Sequence, residues 1–479
     1  MSTSQSEHER TLDEVQVSGV DELKYPISSK LVSAVGGSAS DAEKGATSNA
    51  SSSGVPDGGL RAWSIVVGSI LIQFCGFGYT TAFGVYQGGF LLFVFQFQIR
   101  PLTHISPADY YTRVHITNTS SSAISWIGSI NAFILIVSGL YAGPLFDRGY
   151  FYYLLYGGAF LTSFSLFMLS LTQPNHFYQN LLTHGIGLGL GGGMLYVPSI
   201  AIISQYFHKK RTLAMTFVAS GSSLGAVIHP IMLNNLFTSH LGFQGSVRAS
   251  AGLVTGVLVV ACILLRPRFI PKSNVPKPPM WKLARKFYSE WGYTAMSLGG
   301  FFFTIGFYFP VFYLQLDSIK HGRSERFSFY VLVILNGCSF LGRLAPGLFI
   351  HSIGVVKMIV ISASFCSALI FAMIGLSSLP SIVTIAILYG FFSGIFVTLQ
   401  APLVAVLTND MSELGARMGV AFTCVALGAL VGPPIHGALL TEHFIWWRPG
   451  LESGIMALTG TVAYTSILFA TRKGQAPKA

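Results

Sequence analysis

The chain has 479 residues, of which 51% are hydrophobic, 13% aromatic and only 10% charged, with a mean hydropathy of +0.59. Soluble globular domains carry roughly 25% charged residues, so this composition excludes one and points to an integral membrane protein. The net charge of +11 reports membrane topology; no stretch reads as a folded basic domain for nucleic acid.

Residues 1–55 are rich in Ser, Gly and acidic groups and nearly free of aromatics, which predicts a disordered cytosolic tail. They lack a basic start followed by an apolar core, so no cleaved signal is expected and the first span serves for targeting. A bilayer-crossing helix needs about 20 apolar residues. Runs of that kind fall at 62–84, 122–142, 150–172, 179–204, 212–235, 247–265, 291–314, 327–350, 355–377, 381–405, 418–440 and 451–471. This predicts an all-α membrane protein with twelve spans: six within 56–265, a charged cytosolic linker at 266–290, six within 291–471, and a cytosolic tail at 472–479. With the N-terminus inside, sixteen Lys and Arg residues flank the spans on the cytosolic side against seven outside. Cytoplasmic loops carry the excess, so both termini are expected inside, with the plasma membrane as the expected location.

Along the chain, Asn118-Thr119-Ser120 is a sequon in the external first loop and a candidate for glycosylation. The run GIGLGLGGG at 185–193 contains Gly187-x-Gly189-x-x-Gly192. A dinucleotide fingerprint needs a preceding strand and an acidic residue about twenty positions on. Here the glycines lie inside a span, so they are expected to thin a helix for packing. The five cysteines form no CxxC pair, which predicts neither disulfide nor zinc site, and nothing calls for a cofactor or a metal. No Walker stretch is present, which argues against an ATP-driven pump.

The two halves echo each other. GPLFDRG begins at Gly143 after the second span and GLFIHSIG at Gly347 after the eighth, 204 residues on, and Pro198 and Pro402 repeat the same offset. Two pseudo-symmetric six-helix bundles around a central site follow from such a repeat.

GPLFDRG, PDGGLRAW at 56–63 and YFHKKRTLAMTFVASGSSLG at 206–225 together resemble the major facilitator superfamily, in its monocarboxylate-porter-like branch and most like the fungal members. The resemblance runs from about Pro56 to the end of the last span and implies alternating access, two bundles rocking about a central site. It also implies gating roles. Gly143 permits close helix approach, Asp147 faces a helix N-terminus, where an anion is favoured, and Arg148 pairs across the loop. Arg211 matches a basic position of the family signature. In the second copy Gly347 is kept but His351 replaces the aspartate, so the two gates are expected to differ in strength.

Arg343 sits inside the eighth span. A charge there costs upward of about 2.5 kcal/mol and requires a cavity and a partner. None of the eighteen acidic residues lies deep in a predicted span, so an anionic substrate is the expected partner, held by the guanidinium fork. The alternative is a strut bonded to backbone carbonyls and polar groups such as Asn336. The resemblance supports the first reading, because porters for lactate-like anions carry a matching arginine. It also marks two departures: Ser339 stands in place of an aspartate, and Tyr79-Thr80-Thr81 where a lysine is found.

Gln73, Tyr79, His229 and Gln400 are further candidates for binding substrate. Proton coupling, if present, falls to a histidine among His184, His229 and His436. The expected function is therefore secondary transport of a small monocarboxylate-like anion. Two alternatives stay open, an exporter of a larger secondary metabolite and a nontransporting nutrient sensor. No converging catalytic set suggests an enzyme.

Overall fold

The computed structural model describes residues 57–81, 121–173, 176–237, 239–268, 279–320, 322–376, 378–440 and 445–472. The tail at 1–55, Asn118, the middle of the linker and residues 473–479 lie outside them.

Each predicted span is a helix. In the first half these are α1 (Leu60–Cys75 and Phe77–Thr81, interrupted at Gly76), α2 (Ser121–Val137 and Gly139–Asp147), α3 (Phe151–Leu169), α4 (Phe177–Gln205), α5 (Arg211–Phe237) and α6 (Gly242–Leu264). The second half holds α7 (Trp291–Lys320), α8 (Glu325–Ile353), α9 (Val355–Ala372), α10 (Leu379–Val406), α11 (Leu414–Leu440) and α12 (Trp447–Arg472). Eleven of them are long and apolar enough to cross a membrane; α12 is long enough but is diluted by Glu452, Ser453, Thr459, Thr461 and Thr465.

Local chemistry sets the helix ends. Ser324 caps α8 by accepting from the Phe327 N–H. Ser378 and Ser381 form a capping box at the start of α10, which satisfies otherwise orphaned N–H groups. Gly354, at φ 82°, separates α8 from α9, a left-handed turn that glycine adopts without strain.

Within the first half α1 packs on α5 and α6, and α4 on α2 and α3; within the second, α7 packs on α11 and α12, and α10 on α8 and α9. The halves meet along two seams, α2 against α11 and α5 against α8. The glycines of α4 do packing work: a Cβ on Gly193 would strike Ser138 of α2, and one on Gly191 would meet Thr162 of α3.

Two features were not anticipated. The linker contains a helix, Met280–Tyr288, that buries Leu283 and Phe287; its apolar face is too short for a span, and the flanking charges mask it. The bundle also holds carboxylates: α7 runs beyond the apolar stretch 291–314 that predicted it, and Glu452 falls at the outer edge of the predicted span 451–471. Asp317 in α7 is buried, and Glu452 lies in the second turn of α12.

Candidate functional site

The α5–α8 seam carries the buried cation. Arg343 of α8 donates through Nη1 to the Ala219 carbonyl at 2.9 Å and to the Ser222 hydroxyl, both on α5. Ser223 donates to Ser339 at 3.3 Å across the same seam. Arg343 is half-buried, and among the described residues no carboxylate pairs with it. Its Nε is buried without a hydrogen bond. The expected neighbour Asn336 instead donates to Leu332 of its own helix. The phenols of Tyr196 on α4 and Tyr308 on α7 lie close enough to interact with the guanidinium. Tyr196 also touches Phe77 of α1 (5.0 Å between centroids) and Phe422 of α11 (5.8 Å). Helices of both halves thus bring neutral acceptors and two phenols to one arginine, with Phe77 and Phe422 packed on one of those phenols.

The linker helix, the α2–α3 turn and the α4–α5 turn share one end of the molecule, which is shut. Gly139 and Gly143 of α2 lie against the backbone of Gly419 and Gly415 of α11: a Cβ on Gly143, Gly415 or Gly419 would run into the facing carbonyl, and one on Gly139 into the Val197 side chain of α4. Asp147 completes this seam: its carboxylate accepts from the N–H groups of Gly415 at 3.2 Å and Ala416 at 2.8 Å, at the N-terminus of α11. Helix N-termini favour an anion, and this contact crosses from one half to the other. Arg148 is exposed and has no side-chain partner among the described residues, contrary to the expected pairing, because the α2–α3 turn points it away from the seam. Arg211 reaches the Met411 sulfur at 2.9 Å in the other half, and a Cβ on Gly347 would crowd Leu213 of α5. The His351 side chain is outside the described residues.

Two further contacts at this end were not anticipated. Arg417, only 1% exposed, makes a two-pronged pair with Glu290 at 2.8 and 2.6 Å and stacks on Phe287 of the linker helix at 4.6 Å. Lys286 pairs with Glu413 at 2.7 Å. These bonds tie the linker helix to α11. Arg417 counted only as a flanking charge in the sequence; Glu413, four residues before it, was the local signal of a partner.

The second contact joins two of the quoted motifs. Asp57 of PDGGLRAW accepts from the N–H groups of His208 at 2.6 Å, Lys209 at 2.7 Å and Lys210 at 3.3 Å in YFHKKRTLAM, and Trp63 lies edge-on to Phe207 and Phe217. Burial pushes the Asp57 carboxyl up, but the three backbone donors and the charge of His208 outweigh it and hold it below its ordinary value.

The remaining candidates do not gather around Arg343. Gln73 is buried and donates to Ser199 at 2.9 Å, joining α1 to α4. Tyr79 packs on His229 at 5.1 Å and accepts from Ser250 of α6. His229 is buried with Nε2 3.2 Å from the Phe74 carbonyl. Gln400 exchanges hydrogen bonds with Tyr464 at 3.0 and 3.1 Å inside the second half. All four close polar gaps within one bundle, and sequence alone did not reveal which helix face each occupied.

Residues 74–349 match the sequence family described as the Major Facilitator Superfamily. The aspyridones efflux protein apdF of Emericella nidulans is 37% identical over 407 residues, covering 85% of this chain and 77% of the relative. The fujikurins efflux protein of Gibberella fujikuroi is 34% identical over 445 residues, covering 92% and 88%, and the agnestins efflux protein AgnL12 of Paecilomyces divaricatus is 33% identical over 402 residues, covering 84% and 86%. In fold the chain is similar to the human organic anion transporter MFSD10 (TM-score 0.61, 15% identity, 84% of this chain and 99% of that one). It is also similar to the transporter FucP in its outward conformation (TM-score 0.60, 14% identity, 84% and 99%). These relatives favour the larger-metabolite alternative over a lactate-like anion. The chain is a multi-pass membrane transporter and belongs to the major facilitator superfamily.

Proposed function

We propose that this protein exports a secondary metabolite that is larger than a simple monocarboxylate, bears an acidic group, and passes between the two bundles. The single observation that carries the anionic part is Arg343, whose fork reaches across the seam to neutral acceptors and has no carboxylate partner among the described residues. A half-buried guanidinium inside a span answered only by neutral oxygens is electrostatically undercompensated, and an anion relieves that cost. The phenols of Tyr196 and Tyr308 beside it, with Phe77 and Phe422 packed on Tyr196, suit an aromatic or polyketide-like body better than lactate. Relatives named for the efflux of aspyridones, fujikurins and agnestins support the size and the direction.

In this reading the shut end is cytosolic, as the excess of Lys and Arg on that side supports. Both termini then lie inside, the plasma membrane is the site of action, and the chain is a carrier with no enzymatic step. The test compares metabolites in cells and medium, with and without the protein. Acidic metabolites should move from the medium into the cells when the protein is removed; an unchanged distribution overturns the reading.

A further inference from the structure

One titratable pair lies apart from both seams. His436 of α11 is fully buried, and its Nε2 is 3.3 Å from a carboxylate oxygen of Glu452 on α12. Both residues are near the end of the bundle opposite the linker helix. We infer that His436 and Glu452 together form a proton-binding site whose occupancy sets how α7, α11 and α12 pack at that end, and so makes transport depend on pH.

The geometry distinguishes this pair from a fold-holding strut. A strut saturates its polar atoms, whereas neither ring nitrogen of His436 meets hydrogen-bond geometry and the second carboxylate oxygen of Glu452 is buried without a partner. Apart from His436, Ser453 is the one described residue that approaches the carboxylate, donating at 3.4 Å. Glu452 keeps 17% of its side chain exposed, enough to connect the buried ring with water. Among the described residues two aromatic rings flank it: Phe309 and Tyr313 of α7 stand edge-on to the imidazole at 5.6 and 6.1 Å. Offset by the 204 residues that relate Gly143 to Gly347, the first half places Arg248 at the position of Glu452, and it reaches Ser170 instead. The pair is therefore not a requirement of the repeat.

Among the described residues the charged groups nearby are few. From α7 come the Tyr313 phenol, 3.5 Å from the Pro433 carbonyl, and one turn further on Asp317. On α12, Arg448 is exposed and lies over the Trp447 ring at 5.7 Å. Lys357 of α9 is at the other end of its helix, and α10 has no charged residue. With one proton bound the pair is neutral overall, either as imidazolium and carboxylate or as imidazole and carboxylic acid. When that proton passes to water the pair keeps one negative charge, which an apolar surround disfavours. The bound state thus favours close packing and the free state favours entry of water. The balance is a proton taken from and returned to water, with no change of oxidation state.

The consequence for transport rests on the export reading above, but the proton site does not, and the test separates them. Infrared difference spectra of the reconstituted full chain are recorded as pH is lowered from about 8 to about 5. A carboxyl or imidazole change lost in Glu452→Gln and altered in His436→Gln is expected. Spectra identical to wild type in both folded variants overturn the inference. In a second arm, an aspyridone serves as the transported probe in vesicles with an imposed pH gradient. Flux that follows the gradient in wild type but not in Glu452→Gln supports the coupling; equal gradient dependence overturns it. Absence of flux in the wild type counts against the export reading for this probe, and the spectra still decide the proton site.

Discussion

The two seams between the halves occupy equivalent places in the repeat yet use different chemistry. Along α2–α11, glycines bring backbone against backbone and Asp147 seals the end on the N-terminus of α11. Along α5–α8, an arginine and serines reach across the gap. The first seam stores its stability in close contact that is either made or lost, as a gate requires. The second holds a polar bridge on neutral acceptors, which an incoming anion can replace. Pseudo-symmetry thus supplies two similar surfaces, one specialised for closing and the other for reading the cargo.

The largest effect is expected at the reading seam. Arg343→Lys should cut flux about tenfold or more with the protein still inserted, because a point charge cannot reproduce the fork; flux assays alongside surface labelling check this. Gly143→Ala attacks the closing seam. Overpacking typically costs about 1–3 kcal/mol, which shifts an equilibrium about 5- to 150-fold, here away from the shut state. Spin labels at the exposed positions Arg148 and Arg285 should report a longer distance across the linker end.

Asp147→Asn keeps the shape but removes the charge from two backbone donors. Hydrogen bonds to charged groups contribute about 1.5–3 kcal/mol, so the same labels should report a smaller opening. If Gly143→Ala and Asp147→Asn affect cargo recognition as strongly as Arg343→Lys does, the division between the seams fails.

The smallest effect concerns Asp57, which joins the two family motifs near the closing seam. Its folded carboxyl is held below its ordinary value, so its contribution is present above the unfolded value of about 3.9 and is lost as pH falls through the folded value. Asp57→Asn should therefore lower thermal stability in detergent at neutral pH and narrow its gap from wild type in strong acid. A gap that does not change with pH contradicts the assignment.

Much of the fold was legible because hydropathy reports bilayer-crossing helices directly, and the offsets from Gly143 to Gly347 and from Pro198 to Pro402 exposed the repeat. The linker helix was hidden by its charges, and Glu452 stood at the edge of the last predicted span, where only the fold brings His436 to it. Among site residues, Arg343 stood out because a cation in an apolar run is costly. Gln73, Tyr79, His229 and Gln400 were equally polar in the sequence, yet their facing depends on helix rotation, and packing turned each into its own bundle. Arg417 shows the reverse: it sits at a helix edge where a flanking charge is ordinary, and only the fold brings Glu290 and Phe287 to it.

The central claim is that Arg343 reads an acidic metabolite at the α5–α8 seam. Its most direct test is the flux, into vesicles containing wild type or Arg343→Lys, of the compound that the comparison of cells and medium identifies. The same compound with its acidic group esterified is run beside it, with protein-free vesicles subtracted. Wild type should carry the acid well and the ester poorly, and the variant should lose that preference. Equal preference for the acid in both proteins contradicts the account.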